Sequence, residues 1–191
     1  MNKKNKGEFG YLNYKKKINL LITGAALLII LAIFIAGLII FKSRNNYMTL
    51  VATVLVLPWA KLAVSFFVLL SHKACPQDIH DRLEKNCGSI TTIYDVVVSN
   101  SKKPIGVCAM AVTDNSVIAL SLDKAPDKQL FEKSLKEFLK NDKLSATVTL
   151  YTDVDSFIKR ASTLTLNFDS QYETKTDRMK YIKDSTLNMC L

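Results

Sequence analysis

Acid is almost missing from the first 73 residues of this 191-residue chain: Glu8 stands alone there against ten lysines and arginines. That imbalance equals the formal net charge of the whole protein, +9. Residues 74–191 balance at zero, with 16 basic and 16 acidic side chains. Phosphate contacts need clustered Lys and Arg, so no nucleic-acid partner is expected for that part. Histidine is also scarce, with only His72 and His80 present. The chain has no G-x-S-x-G, P-loop, G-x-G-x-x-G or H-E-x-x-H motif. The common nucleophile, nucleotide and zinc-protease signatures are thereby excluded. No cofactor and no catalytic residue is expected.

What the first 73 residues do contain is long apolar runs. Residues 18–41 hold no charge in 24 positions, enough to cross a hydrocarbon core of about 30 Å. The run is too long for a cleaved signal sequence and ends in Phe41-Lys42-Ser43-Arg44. Residues 47–71 form a second apolar stretch, with Pro58 inside and Lys61 as its one charge. Lone central lysines cost roughly 2.5–3.5 kcal/mol on insertion scales, which the surrounding Leu, Val and Phe offset. A five-residue connection makes the pair a transmembrane hairpin. Lys3, Lys4, Lys6, Lys15, Lys16 and Lys17 precede it, and Lys73, Arg82 and Lys85 follow it. Lys42 and Arg44 are the only cations in the connection. The positive-inside rule then puts both termini in the cytoplasm of a two-span cell-membrane protein. Lys15, Lys16 and Lys17 abut the first span, where anionic lipid headgroups would meet them. Cys75, Cys87, Cys108 and Cys190 would be reduced there, with Cys108 a buried thiol in an apolar run.

The expected organisation is a basic N-terminus at 1–17, the hairpin at 18–71, an α/β domain at 74–163 and a weakly helical or mobile tail at 164–191. Within the domain, Ile79 and Leu83 predict a helix at 77–86. Ile90–Ser99 is β-branched and reads as a strand. Asn-Ser-Lys-Lys-Pro at 100–104 reads as a turn. Ile105–Thr113 is almost wholly apolar, as in a strand buried on both faces. A third strand follows at Val117–Leu122, then an amphipathic helix at 127–140. Residues 145–152 alternate as a fourth strand, and Thr152 with Asp155 resembles a capping box ahead of a last helix. The fold class is α/β: a two-helix hairpin, then an α-β-β-β-α-β-α domain with a mixed sheet.

From Tyr94 to Asp123 the pattern YDVVVSN, a turn and VCAMAVTDNSVIALSLD resembles the nuclease-related, restriction-endonuclease-like domain attached to bacterial membrane proteins. The resemblance implies a fold and two site positions. An Asp would open the second strand, near Val107–Ala109, and acid-x-Lys would lie near Ser121-Leu122-Asp123. Active members hold Mg²⁺ with those acids. This chain departs from both motifs, so the resemblance implies an inactive site. The whole chain also resembles two-span membrane proteins of low-GC Gram-positive bacteria, on its Lys-rich composition and its GEFGYLNYKKK start. That likeness brings no activity with it.

Two residues stand out as candidate functional positions. Asp95 is the one acid inside a predicted strand; it reads as a metal ligand or, preferably, as a solvent-facing edge residue. Lys61 is an ionisable group within a membrane span. Thr53, Leu57, Lys61 and Ser65 share a helical stripe, expected to pack on Ala32, Ala36 and Gly37 of the first span. Lys61 either snorkels to a headgroup or pairs with an acid of another membrane protein. His72, Cys75, His80 and Cys87 are also close in sequence, but H-x₂-C-x₄-H-x₆-C matches no zinc-finger spacing. The function expected is a non-catalytic binding or regulatory protein anchored in the membrane. The alternative is a membrane-tethered hydrolase or nuclease with an unrecognised active site, and a transporter subunit using Lys61 is a weaker third.

Overall fold

The computed structural model describes residues 4–42, 47–88, 90–99, 103–169 and 177–191. The chain forms two compact units: residues 13–71, and residues up to 12 together with 72–191. The connection between the two apolar runs and most of the 100–104 turn lie outside the described residues.

The first unit is built from α1 (Tyr11–Phe41) and α2 (Tyr47–Ser71), both long and apolar enough to cross a membrane. Most of their large side chains are exposed, as hydrocarbon contact requires of a span. α2 continues through Pro58, and Trp59 Nε1 donates to the Thr23 carbonyl at 3.1 Å. Trp59 therefore ties the two helices together, its indole N–H satisfied by a carbonyl of α1. The buried residues of α2 are Ala52, Ala63 and Leu69. Thr53, Leu57, Lys61 and Ser65 are exposed; of the small residues on α1, Ala32 is exposed, Ala36 half-buried and Gly37 buried. This corrects the expected packing of the Lys61 stripe on α1. Small Ala52 and Ala63, which let backbones approach, are buried instead.

The second unit is a three-layer α/β domain. α3 (Gln77–Asn86), β1 (Thr91–Val98), β2 (Ile105–Val112), β3 (Ser116–Leu120), α4 (Lys128–Asn141), β4 (Thr147–Tyr151), α5 (Val154–Asp169) and α6 (Asp177–Met189) follow in that order. The sheet runs β1-β2-β3-β4, antiparallel except for parallel β3 and β4. All eight residues of β2 are buried, because apolar clusters cover both faces of the sheet. α3 and α5 bury Ile79, Leu83, Phe157 and Ala161 on one face. α4 and α6 bury Phe131, Leu135, Leu139 and Ile182 on the other. Asp127 caps α4 by accepting from Leu130 N–H at 3.0 Å. The cap of α5 is Asp153, which accepts from Ser156 N–H at 2.8 Å, in place of the expected Thr152. Its hydrogen bonds to Ser156 hold the Asp153 carboxyl below the usual range.

The chain ends differ most from expectation. Tyr94 N–H donates to the Gly7 carbonyl at 2.8 Å, so the N-terminal segment folds along β1. At the other end, Leu191 N–H donates to the Val97 carbonyl at 2.8 Å, and Val98 bridges Cys190. Together they cover the outer edge of β1, which would otherwise present unpaired backbone groups. Lys6 Nζ joins the two ends through the Cys190 carbonyl at 2.6 Å. Arg178 pins the start of α6 through the carbonyls of Asp114 and Ser145, at 2.9 and 3.0 Å. The described part of the tail is helical, the first of the two expectations for it, and it contributes to the core: Met179, Ile182 and Thr186 are fully buried. Ile182→Ala should lower unfolding free energy by about 2–5 kcal/mol, the usual cost of emptying a core aliphatic site. Chemical unfolding followed by circular dichroism would measure it, and an unchanged midpoint would return the tail to the surface.

Candidate functional site

Asp95 is 1 % exposed, which corrects the expectation of a solvent-facing edge residue. It has φ +53°, in the left-handed region that Asp tolerates better than most non-glycine residues. The consequence is a slip in the pleat. Along β1, Ile93, Val96 and Val98 point to the α4/α6 face, so alternation breaks between 93 and 96. Opposite, Ile105, Val107, Met110 and Val112 share that face, while Cys108 and Ala109 both turn to the other. The register pairs Tyr94 with Ala109 and Val96 with Val107, which leaves Asp95 facing Cys108.

A buried carboxylate must be hydrogen-bonded to remain charged. One oxygen of Asp95 accepts from Cys75 N–H at 2.6 Å. The other accepts from Gly10 N–H. Gly10 has φ +80°, a conformation that glycine adopts without strain. A single side chain thus holds the residue just before α1 and a residue just after α2.

Cys75 and Cys108 are joined as a disulfide, with Cα atoms 4.5 Å apart. This corrects the reading of Cys108 as a solitary buried thiol in a chain of reduced cysteines. That reading follows from charge distribution, which carries no information on which cysteines meet in space. The bond closes a loop of sequence separation 33, worth about 3–4 kcal/mol in the chain-entropy account. Cys87 and Cys190 are free and buried. Burial pushes the Cys190 thiol up to about 12 and raises that of Cys87.

The third anchor is His72, the first residue after α2. It is 5 % exposed, and its Nδ1 lies 2.9 Å from Asp123 Oδ2. The same oxygen accepts from Gly106 N–H at 2.7 Å, and Ser121 Oγ donates to the Gly106 carbonyl at 2.7 Å. Gly106 is needed for space. A Cβ there would sit 2.8 Å from His72 Nδ1 and 2.9 Å from its Cβ. Asp123 also lines a cleft of about 190 Å³ with Lys103, Lys124, Ala125 and Asp127 at the C-terminal end of β3.

The structure therefore separates the residues that sequence proximity groups. Cys75 bonds Cys108, His72 meets Asp123, and His80 stacks near Phe9 with ring centroids 4.3 Å apart. Cys87 closes the end of α3. Among the described residues no group of three or more His, Cys, Asp or Glu side chains could hold a metal ion. At the two nuclease-like positions stand the apolar run of β2 and Asp123. Asp123 is already bound to His72 and Gly106, and the cleft that it lines also holds Asp127, Lys103 and Lys124. What the arrangement can do is anchor: Asp95, His72 and Asp123 with Cys75 and Cys108 tie both ends of the helix pair's chain to β1, β2 and the end of β3. Sequence reasoning missed His72, Asp123 and the disulfide. The signal present was Asp95 itself, one acid amid TTIYDVVV, where burial forces a partner.

Gly106→Ala should destabilise the domain by about 1–3 kcal/mol through overpacking against His72. In a His72→Ala background the same change should cost less than half as much. Thermal unfolding of the four proteins in one detergent gives the cycle, and equal costs in both backgrounds would show that the imidazole is not what Gly106 makes room for.

Compared with known proteins, the chain matches no protein-family description, no curated protein and no solved structure.

Proposed function

We propose that this chain is a membrane-anchored, non-catalytic binding or regulatory protein. α1 and α2 span the cell membrane as a hairpin, and the α/β domain works at the cytoplasmic face. The observation that carries the reading is the use made of buried polar chemistry. Asp95, His72 and Asp123 are each engaged in fixing residues that flank the helix pair to the sheet. The orientation rests on the cations of the N-terminal segment, and Lys15, Lys16 and Lys17 would meet anionic headgroups. A cysteine introduced at Asn45 should label in intact cells with a membrane-impermeant thiol reagent. One introduced at Lys133, whose side chain is 74 % exposed on α4, should not. Labelling at 133 would invert the topology.

The partner is another membrane protein that carries a carboxylate at the depth of Lys61. Lys61 lies on an exposed stripe with Thr53, Leu57 and Ser65, directed away from the buried Ala52 and Ala63. Residues 18–41 and 47–71 contain no Asp or Glu, so a second copy of this chain supplies no counter-charge there. An intramembrane acid in a partner would be stranded if its cation were removed. Lys61→Leu, expressed at native level, should insert normally and lose a co-purifying membrane protein that Lys61→Arg retains. An identical co-purifying set from all three proteins would reduce Lys61 to a snorkelling residue.

A further inference from the structure

We propose that Cys75 and Cys108 form a reversible thiol–disulfide site that opens and closes the covalent tie between the segment after α2 and the centre of the sheet, with a small-molecule disulfide or thiol as its co-reactant. The proposal rests on the cytoplasmic orientation given above. An observation and the proposed orientation meet in it. The structure closes Cys75 onto Cys108. The proposed orientation puts the domain in a reducing compartment, where standing structural disulfides are rare and those that form are transient or redox-sensing. A pair built to close in that setting is one that cycles.

The surroundings fit exchange at one sulfur. Cys75 is itself only 6 % exposed, but it lies in the segment after α2, outside the strands and beside exposed Lys73, Pro76 and Gln77. Cys108 is 2 % exposed within β2, buried on both faces. Local opening of that segment bares the Cys75 sulfur without breaking the sheet, so Cys75 is the sulfur that meets the co-reactant, and Cys108 is the resolving partner. In oxidation the Cys75 thiolate attacks one sulfur of R–S–S–R, forming a mixed disulfide and releasing RS⁻. The Cys108 thiolate then attacks the Cys75 sulfur and releases the second RS⁻. The two protons of the protein thiols end on the two released thiols, and two electrons pass from the protein to the small disulfide. Reduction runs the same steps backwards.

Asp95 is the positioning residue. It holds Cys75 through the N–H bond at 2.6 Å and faces Cys108 across the β1–β2 register. When the disulfide is open, that bond keeps the two sulfurs close enough to close again. Asn tolerates the left-handed backbone but offers one acceptor oxygen for two N–H donors. Cys87 and Cys190 serve as internal controls, since both are free thiols outside the pair.

The test uses the full chain in detergent, equilibrated in buffers of reduced and oxidised glutathione at set ratios. The thiols are trapped with acid, alkylated under denaturing conditions with a polyethylene-glycol maleimide, and counted by gel shift. Two thiols should disappear together as the oxidised fraction rises and return when it falls. Cys75→Ser should abolish the paired loss, whereas Cys87→Ala with Cys190→Ala should leave it intact. Asp95→Asn should move the half-oxidation ratio at least three-fold. In wild type, which needs no variant to fold, trypsin should cut after exposed Lys73 at least three-fold faster in the reduced state. A pair that never closes, or never reopens, at any ratio overturns the proposal, and so do equal cutting rates. The orientation fails separately: it falls if the Lys133 cysteine labels from outside while the pair stays oxidised in growing cells. If that cysteine stays unlabelled and the pair never closes, only the switch has failed.

Discussion

A carboxylate with almost no exposure has to be surrounded by donors, and the donors of Asp95 come from opposite ends of the long detour through the two apolar helices. Gly10 N–H arrives from the N-terminal side of α1, and Cys75 N–H from beyond α2. Satisfying one buried charge therefore fixes where the chain leaves the domain and where it re-enters. It also fixes the local backbone. The left-handed conformation of Asp95 shifts the pleat by one residue, which turns Cys108 and Ala109 to the same face and puts Cys108 within reach of Cys75. Losing the carboxylate would strand two N–H groups in an apolar setting, at about 1–3 kcal/mol each.

The layered core explains why the termini are drawn in. A sheet covered on both faces still has edges, and β1 is an edge strand of eight residues, mostly buried. The N-terminal segment and the residues after α6 supply carbonyl and N–H partners to Tyr94, Val97 and Ser99. Burial of Met179 and Ile182 beneath α6 then follows at little extra ordering cost, because the end of α6 is already held at β1.

Local periodicity makes much of the domain legible in the amino-acid sequence. The helix at 77–86, the apolar run at 105–113 and the amphipathic helix at 127–140 each fall within a residue or two of α3, β2 and α4. Each depends on side chains close in sequence. The candidate site is not legible for the same reason in reverse. His72 and Asp123 are 51 residues apart, Asp95 and Gly10 are 85 apart, and no spacing rule connects them. The tail's helix is legible but its burial is not, because α6 is polar on average; its buried face is narrow, and only the neighbouring α4 and β1 show that it is a face at all. The Lys61 stripe misleads only about packing within the helix pair, where small alanines on another face of α2 are the ones buried.

The charge pattern takes on a second meaning once the N-terminal segment is seen folded. In the sequence its lysines all read as positive-inside cations, yet Lys4 donates to the Phe9 carbonyl and Lys6 to that of Cys190. Those two contribute to closing the domain across β1. Lys15, Lys16 and Lys17 lie past the first turn of α1. The positive-inside signal and the packing of the N-terminus are thus carried by different lysines of one short segment. Since the packed lysines, Gly7 and Gly10 hold that segment against the same domain that contains Lys73, Arg82 and Lys85, chain connectivity keeps all these cations on one side of any bilayer the helices cross. Hydrogen bonds to β1 keep the two flanks together, as a two-span hairpin would require, whereas the choice of side in the proposed orientation rests on the charge rule alone.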